Sequence, residues 1–353
     1  MSGSISLLDE WMDQSFWTQG AFMTSPDEEW VILGKGGERG ITEVMIEGDH
    51  PVFYLKDFFQ NSFVTYTPTH TLKVSRGHLV NWLQEKSIPD AHFSPVSNDD
   101  DLYQKDFLTL KHHLKNNLEK VVLISRESFE AFEGESSIKL LFKKAFLFGA
   151  GLPYGIWDKH TGMMGSTPEV LFEIKDDELQ TFALAGTSKK GLESELLHSK
   201  KDLHEHNLVI RDIVEKISSF TQDVKVFTTE IYPFKNLIHL KTQILGKIHS
   251  TNYTDLICTL SPTAALGGYP KKESKEFLLG SSYFDKYPVR YFGSAFGVMT
   301  KETKAFLVAI RNVQWKESEL FIESGGGVVS ESDFSKELEE IHLKRNTIRK
   351  HYL

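Results

Sequence analysis

The chain has 353 residues, of which 40% are hydrophobic and 25% charged, a composition that excludes a disordered or low-complexity protein. Its formal net charge of −9 argues against a polyanion-binding surface, so no nucleic-acid partner is expected. The single cysteine, Cys258, cannot form an internal disulfide and falls in the apolar run Leu256-Ile257-Cys258, where a buried, inert thiol is expected.

The stretch up to Trp17 carries Asp9, Glu10 and Asp13 where a secretory leader would be basic, and no run approaches the ~20 apolar residues needed to span a bilayer. A cytoplasmic protein with no membrane partner is expected. Residues 1–97 show short apolar segments, such as 30–33 and 51–55, separated by glycine-rich turns, and read as strands. The acidic segment 94–101 reads as a connection to the remainder, 98–353, which carries every motif. There a helix precedes the strand 120–124, a second helix spans 136–147, and strands follow at 154–157, 170–174 and 180–184. One long helix is expected over 193–220 and another from near Asp333 to the C-terminus. This mixture points to α+β rather than a βαβ repeat.

Two acidic sets sit on those last helices. Asp202 and Glu205 are spaced i, i+3, and Glu337, Glu340 and Lys344 are spaced i, i+3, i+7, so each set projects from one face. Carboxylates gathered from two helices suit a hard cation such as Mg²⁺, although solvated acidic faces are the commoner outcome for any one pair. The triplet His204-Glu205-His206 does not offer a zinc site, because residues i and i+2 on a helix point in different directions. Three loops, Leu184-Ala185-Gly186-Thr187, Ala264 to Pro270 and Ser324-Gly325-Gly326-Gly327, let backbone approach a ligand, and none matches a P-loop or dinucleotide fingerprint.

Taken in order, these fragments resemble the chorismate-utilising enzymes, a family that includes isochorismate synthase, salicylate synthase, anthranilate synthase component I and aminodeoxychorismate synthase. The resemblance covers roughly residues 105–350. It runs through Lys120-Val121-Val122-Leu123, Gly165 to Glu169, Leu184 to Thr187, Lys201 to His206, His239-Leu240, Pro262 to Pro270, Tyr291-Phe292-Gly293, Val308 to Arg311, the glycine loop, and Glu337 to Glu340 with Lys344. It implies a two-lobed fold of mixed and antiparallel sheets packed with helices around a central cleft, with 1–97 as part of that fold and 98–353 as the chorismate-binding region.

The resemblance also implies roles. Glu205 and Glu340 match glutamates that hold Mg²⁺ against the ring carboxylate, with Asp202 and Glu337 as supporting acids. Arg311 and the amides around Gly325 and Gly327 match the enolpyruvyl-carboxylate site, where a guanidinium pairs bidentately. Ala185, Gly186, Thr187, His239, Ala265, Leu266, Phe292, Ile310 and Lys344 match further substrate-binding positions. Lys120 matches the general base of the water-using members, whose ammonia-using relatives carry Gln there; burial, which disfavours an ammonium, equips a lysine for that task. Glu169 matches the general acid that protonates the departing C4 hydroxyl. Read alone, Lys120 is a strand-edge lysine and Glu169 a turn residue.

Ala185 stands where aminodeoxychorismate synthases carry a nucleophilic lysine, and the Ala264–Pro270 segment, Phe292 and Ile310 resemble the isochorismate-forming branch. An isomerase forming isochorismate is therefore expected, needing no glutaminase subunit. The alternatives are salicylate synthase, an amine-forming component I, or an inactive chorismate-binding protein. Glu323 departs from the family, which is usually apolar or aromatic there; an acid beside an anionic ligand would repel it unless it points away.

Overall fold

The computed structural model describes residues 3–87, 92–114, 118–130, 132–147, 151–234 and 237–353. Among these, two ten-stranded antiparallel sheets face each other. The first runs, neighbour to neighbour, through Gly268–Tyr269, Lys120–Glu130, Glu319–Val328, Asn312–Lys316, Thr161–Thr167, Leu152–Trp157, Gly20–Thr24, Trp30–Lys35 and His70–Ser75. The second runs through Thr221–Val226, Leu237–Ile248, Glu178–Lys189, Val170–Lys175, Lys304–Val308, Ala295–Met299, Val52–Lys56, Phe63–Thr67 and Glu38–Thr42; the tenth strand of each branches off this order, Ser94–Asn98 on Lys120–Glu130 and Glu230–Phe234 on Leu237–Ile248. Each sheet thus takes strands from both ends of the chain.

Strand periodicity explains the layering. In Gly20–Thr24, Ala21 and Met23 face the second sheet and pack among Phe53, Leu55, Phe296 and Leu307. Phe22, between them, turns outward onto Phe142 and Phe146 of the helix Glu135–Leu147. Because both faces are covered, this strand is buried at every position. On the far side of the second sheet, Ile213 and Ile217 of the helix Lys200–Ile217 join a core with Leu179 and Ile244. No helix among the described residues is long and apolar enough to cross a membrane.

The chain crosses between the sheets at Thr167–Val170 and again at Val308–Asn312. The two crossings are bonded to each other: Ser166 donates its N–H to the Arg311 carbonyl at 3.2 Å, and Val308 to the Glu169 carbonyl at 3.0 Å.

Several expectations are corrected. The segment 94–101 is not a free connection, because Ser94–Asn98 pairs with the strand Lys120–Glu130 and Asp100 opens the helix Asp100–His113. Its acids suit that first turn, where free amides favour negative charge. The expected helix over 193–220 is two helices, Glu193–His198 and Lys200–Ile217, broken at Ser199. Ser199 adopts an extended backbone and its Oγ accepts from the Asp202 N–H at 3.2 Å, an N-cap inside an otherwise helical pattern. Cys258 is half-buried rather than enclosed, and borders a small cavity beside Lys56 and Lys271.

Candidate active site

Where the two crossings meet the helices Lys200–Ile217 and Phe334–Tyr352, the molecule has a cleft. Its wall takes Glu169, Ala185, Gly186, Thr187 and His239 from the second sheet and its crossing, and Ile310, Arg311, Gly325 and Gly327 from the first. Glu205 enters from one helix, Glu340 and Lys344 from the other, and Ala265, Leu266 and Phe292 from loops. Every expected substrate-binding residue therefore borders one space. Lys120, Asp202 and Glu337 stand behind this lining, not in it.

Local irregularities aim these side chains. Gly186 is an extra residue in the pairing of Glu178–Lys189 with Leu237–Ile248, between Ala185↔Leu240 and Thr187↔His239. Its φ of +76° suits glycine, and a Cβ there would lie 3.3 Å from that of Asp202. The bulge sets Thr187 Oγ1 3.0 Å from His239 Nδ1. His239 Nε2 is enclosed with no hydrogen-bond partner. Burial, then Arg311 and Lys344, push the imidazole down to about 3, so it is neutral at physiological pH.

Arg311 is itself in the left-handed region, φ +57°, which costs a non-glycine residue about 1–2 kcal/mol. That turn carries the guanidinium into the cleft, where Nη1 lacks a protein partner and burial brings the group down to about 10. A buried guanidinium with an unsatisfied donor is prepared for an anion.

The amides of Gly325 and Gly327 face the same space. Val122 gives its N–H to the Gly267 carbonyl at 2.9 Å, away from its partner Gly327. The pair Val122↔Gly327, and Ile124↔Gly325 two residues along, are therefore of the non-hydrogen-bonded kind, which turns both glycine amides away from the Lys120–Glu130 strand. On that other side pairing with Asn312–Lys316 ends at Phe321. The Gly325 carbonyl there accepts from Lys344 Nζ at 2.9 Å.

Glu169 is buried after Pro168, and its N–H is held by Thr167 Oγ1 at 3.1 Å. Burial pushes its carboxyl up to about 8, against the opposing pull of Lys120, Lys344 and Arg311, so it holds its proton at neutral pH. Lys120 is fully enclosed, with Nζ 2.9 Å from Glu205 Oε1.

The acids meet lysines. Glu337 Oε1 lies 2.8 Å from Lys201 Nζ and accepts from Ser332 Oγ at 2.7 Å, and Glu340 Oε1 lies 2.7 Å from Lys344 Nζ. Among the described residues no three His, Cys, Asp or Glu side chains stand at metal-ligating spacing. The donor set nonetheless fits a hard cation: it is all oxygen, and its mutual repulsion is only partly relieved. Burial raises both Asp202 and Glu337, with Glu205 and Glu340 adding to the first and Glu340 to the second. Burial also pushes Glu340 up, but Lys344 and Lys201 hold it below the ordinary value. His204 is exposed, and His206 faces Thr242 Oγ1 at 2.8 Å inside the core, so neither belongs to a metal site.

Glu323 does not point away. It borders the cleft, 2% exposed, and its charge is met by other means: Tyr283 donates its hydroxyl to Oε1 and Gln314 its amide to Oε2 at 2.8 Å. Those two partners lie off every motif, and Lys201, although it opens the Lys201–His206 motif, gives no sign along the chain of its pairing with the distant Glu337.

A family model described as chorismate binding enzyme matches residues 83–351. Isochorismate synthase MenF of Haemophilus influenzae is 28% identical over 239 residues, covering 64% of this chain and 54% of that protein. Anthranilate synthase component 1 of Acetivibrio thermocellus is 24% identical over 273 residues, covering 73% and 53%. The chain spans about half the length of these curated relatives. Among solved structures, MenF, the menaquinone-specific isochorismate synthase from Escherichia coli, superposes with a TM-score of 0.82 at 17% identity, over 98% of this chain and 92% of that one. Anthranilate synthase component I from Streptococcus pneumoniae gives 0.66 at 14% identity, over 98% and 85%. These two share the fold, and with the family model matched over most of its length the chain belongs to the chorismate-binding enzymes.

Proposed function

We propose that the chain converts chorismate to isochorismate, adding water at C2 and releasing the C4 hydroxyl. The observation that carries this reading is the enclosed Lys120, a lysine where the family resemblance gives amine-forming members glutamine, standing behind the lining of a cleft whose acid, Glu169, keeps its proton at neutral pH. Arg311 and the free amides of Gly325 and Gly327 bind the enolpyruvyl carboxylate. Lys120 Nζ takes a proton from the attacking water as its oxygen bonds to C2. Both ring double bonds shift by one position, the C4–O bond breaks, and Glu169 protonates the departing hydroxyl, so one water enters and one leaves. Ala185 offers no nucleophile, which supports water over an enzyme-bound amine intermediate.

Glu205 and Glu340 are the residues that would hold Mg²⁺, with Asp202 and Glu337 in support. The ion would bind the ring carboxylate and offset the crowding of negative charge. Glu205 also lies 2.9 Å from Lys120 Nζ, so a cation on that carboxylate would loosen its hold on the lysine.

The reading is tested by Lys120→Ala and Glu169→Gln. Each should lower kcat by roughly 10²–10⁴-fold while chorismate binding, measured calorimetrically, persists. Undiminished turnover in either variant would remove that residue from the chemistry, and binding without turnover in the unaltered protein would make the chain a chorismate-binding protein only.

A further inference from the structure

Behind the loop that carries Ala265 and Leu266 into the cleft lies a second, smaller cavity. It is bordered by Lys56, Lys271, Lys275, Ser261, Gly267 and Gly268. Three ammonium groups border one space, and among the described residues no carboxylate stands within ion-pair distance of any of them. The acids nearby are otherwise engaged. Asp212 pairs with Lys216 at 2.6 Å, and Asp57 accepts the N–H groups of Phe59 and Gln60 at 2.8 Å each.

The donors left over can be counted, since a lysine has three. Lys271 spends its protons on the carbonyls of Cys258, Thr259 and Ser261 at the end of the helix Tyr253–Leu260, and so contributes charge rather than a donor. Lys56 gives two, to the Asp57 and Gln60 carbonyls at 2.8 Å each, and keeps one. Lys275 gives one, to the Phe59 carbonyl at 2.6 Å, and keeps two. Ser261, 2% exposed, has its Oγ enclosed with no hydrogen-bond partner.

We infer that this cavity is a binding site for a small oxyanion of the phosphate class, held by Lys56, Lys275 and the Ser261 hydroxyl in the field of Lys271. Burial without a counter-charge has a consequence that fits: it brings Lys56 down to about 8 and Lys271 to about 7, so both ammonium groups lack the partner an anion would supply. The site also has a place in the architecture. Gly268 pairs with Val121 and Tyr269 with Lys120, and a Cβ on Gly268 would lie 2.3 Å from the Lys120 carbonyl. A bound oxyanion ties the strand Val52–Lys56, Ser261 and the helix Lys271–Leu279 together directly behind the start of the Lys120–Glu130 strand.

The test uses inorganic phosphate at ionic strength matched with chloride. Phosphate should raise the Tm of the protein and of Lys272→Glu, a change on the same helix at an exposed lysine outside the cavity, since a ligand that binds only the folded state stabilises it. Lys275→Glu, also at an exposed side chain, should lose the shift and weaken phosphate by at least about tenfold. Because Arg311 and Lys344 could also draw an anion, an arsenate-soaked crystal locates the seat by anomalous scattering. A peak among Lys56, Lys275 and Ser261 supports the site. No phosphate-specific shift, a shift that survives Lys275→Glu, or a peak only beside Arg311 overturns it.

Discussion

Lys120, beneath the cleft, and Glu205, in its lining, stand 2.9 Å apart, and Gly327 is what lets them meet. A Cβ at Gly327 would lie 2.4 Å from Glu205 Oε1 and 2.6 Å from Lys120 Cε, inside any real contact distance. The glycine loop thus does two things at once: it lines the cleft and leaves room for the buried pair. Gly327→Ala should destabilise the fold by about 1–3 kcal/mol through overpacking and reduce turnover, as followed by denaturant unfolding and steady-state kinetics. An alanine variant as stable and as active as the parent would show that the pair does not depend on that space.

The pH dependence follows from Glu169. The folded protein holds this proton to about pH 8, well above the ordinary carboxyl value, because burial penalises the anion. The stability this group confers is full below its ordinary value and is lost as pH rises through about 8. Turnover should fall over the same range as the acid loses its proton. Glu169→Gln, which cannot ionise, should lose most activity yet gain Tm relative to the parent on the alkaline side. His239, held neutral, should add no inflection of its own near pH 6. Parallel Tm curves for parent and variant across pH 8 would contradict the assignment.

The metal reading has its own consequence. Turnover should vanish with a chelator and return with Mg²⁺. Glu337→Gln, which removes a supporting acid and leaves Lys201 unpaired, should raise the Mg²⁺ concentration at half-activity by roughly 10–100-fold. Turnover indifferent to chelation would refute a catalytic cation between these helices.

Glu323 gives a separable prediction. Tyr283→Phe removes the hydroxyl donor from one oxygen of a carboxylate that borders the cleft. The bared charge should repel the dianionic substrate, raising KM more than it lowers kcat. Kinetic constants measured separately check this; a loss confined to kcat would place Tyr283 in the chemistry instead.

The parts of the site that were legible in the sequence were those with a short-range signature. The acidic faces of the last helices, the glycine loop and the ordered motifs all mark the cleft that the fold assembles. Tertiary partners were not legible. Nothing near Glu323 announces Tyr283 or Gln314, because Gln314 reaches it from the neighbouring strand and Tyr283 from the helix Ser282–Lys286, contacts that only the tertiary fold makes. The break at Ser199 was hidden because leucines on both sides keep a helical interval while the serine caps the second helix. The segment 94–101 has the Pro, Ser and Asp content of a loop, yet 94–98 forms a strand. Pairing with an existing strand overrode that preference, as β-propensity depends on context.

The most direct test of the account is the product formed from chorismate. The purified chain would be incubated with chorismate and Mg²⁺, with and without an ammonium salt, and the products separated by chromatography. The account predicts isochorismate in both reactions, unaffected by ammonium and abolished by Lys120→Ala. Anthranilate or aminodeoxychorismate appearing only with ammonium, or salicylate accompanied by stoichiometric pyruvate, would contradict it.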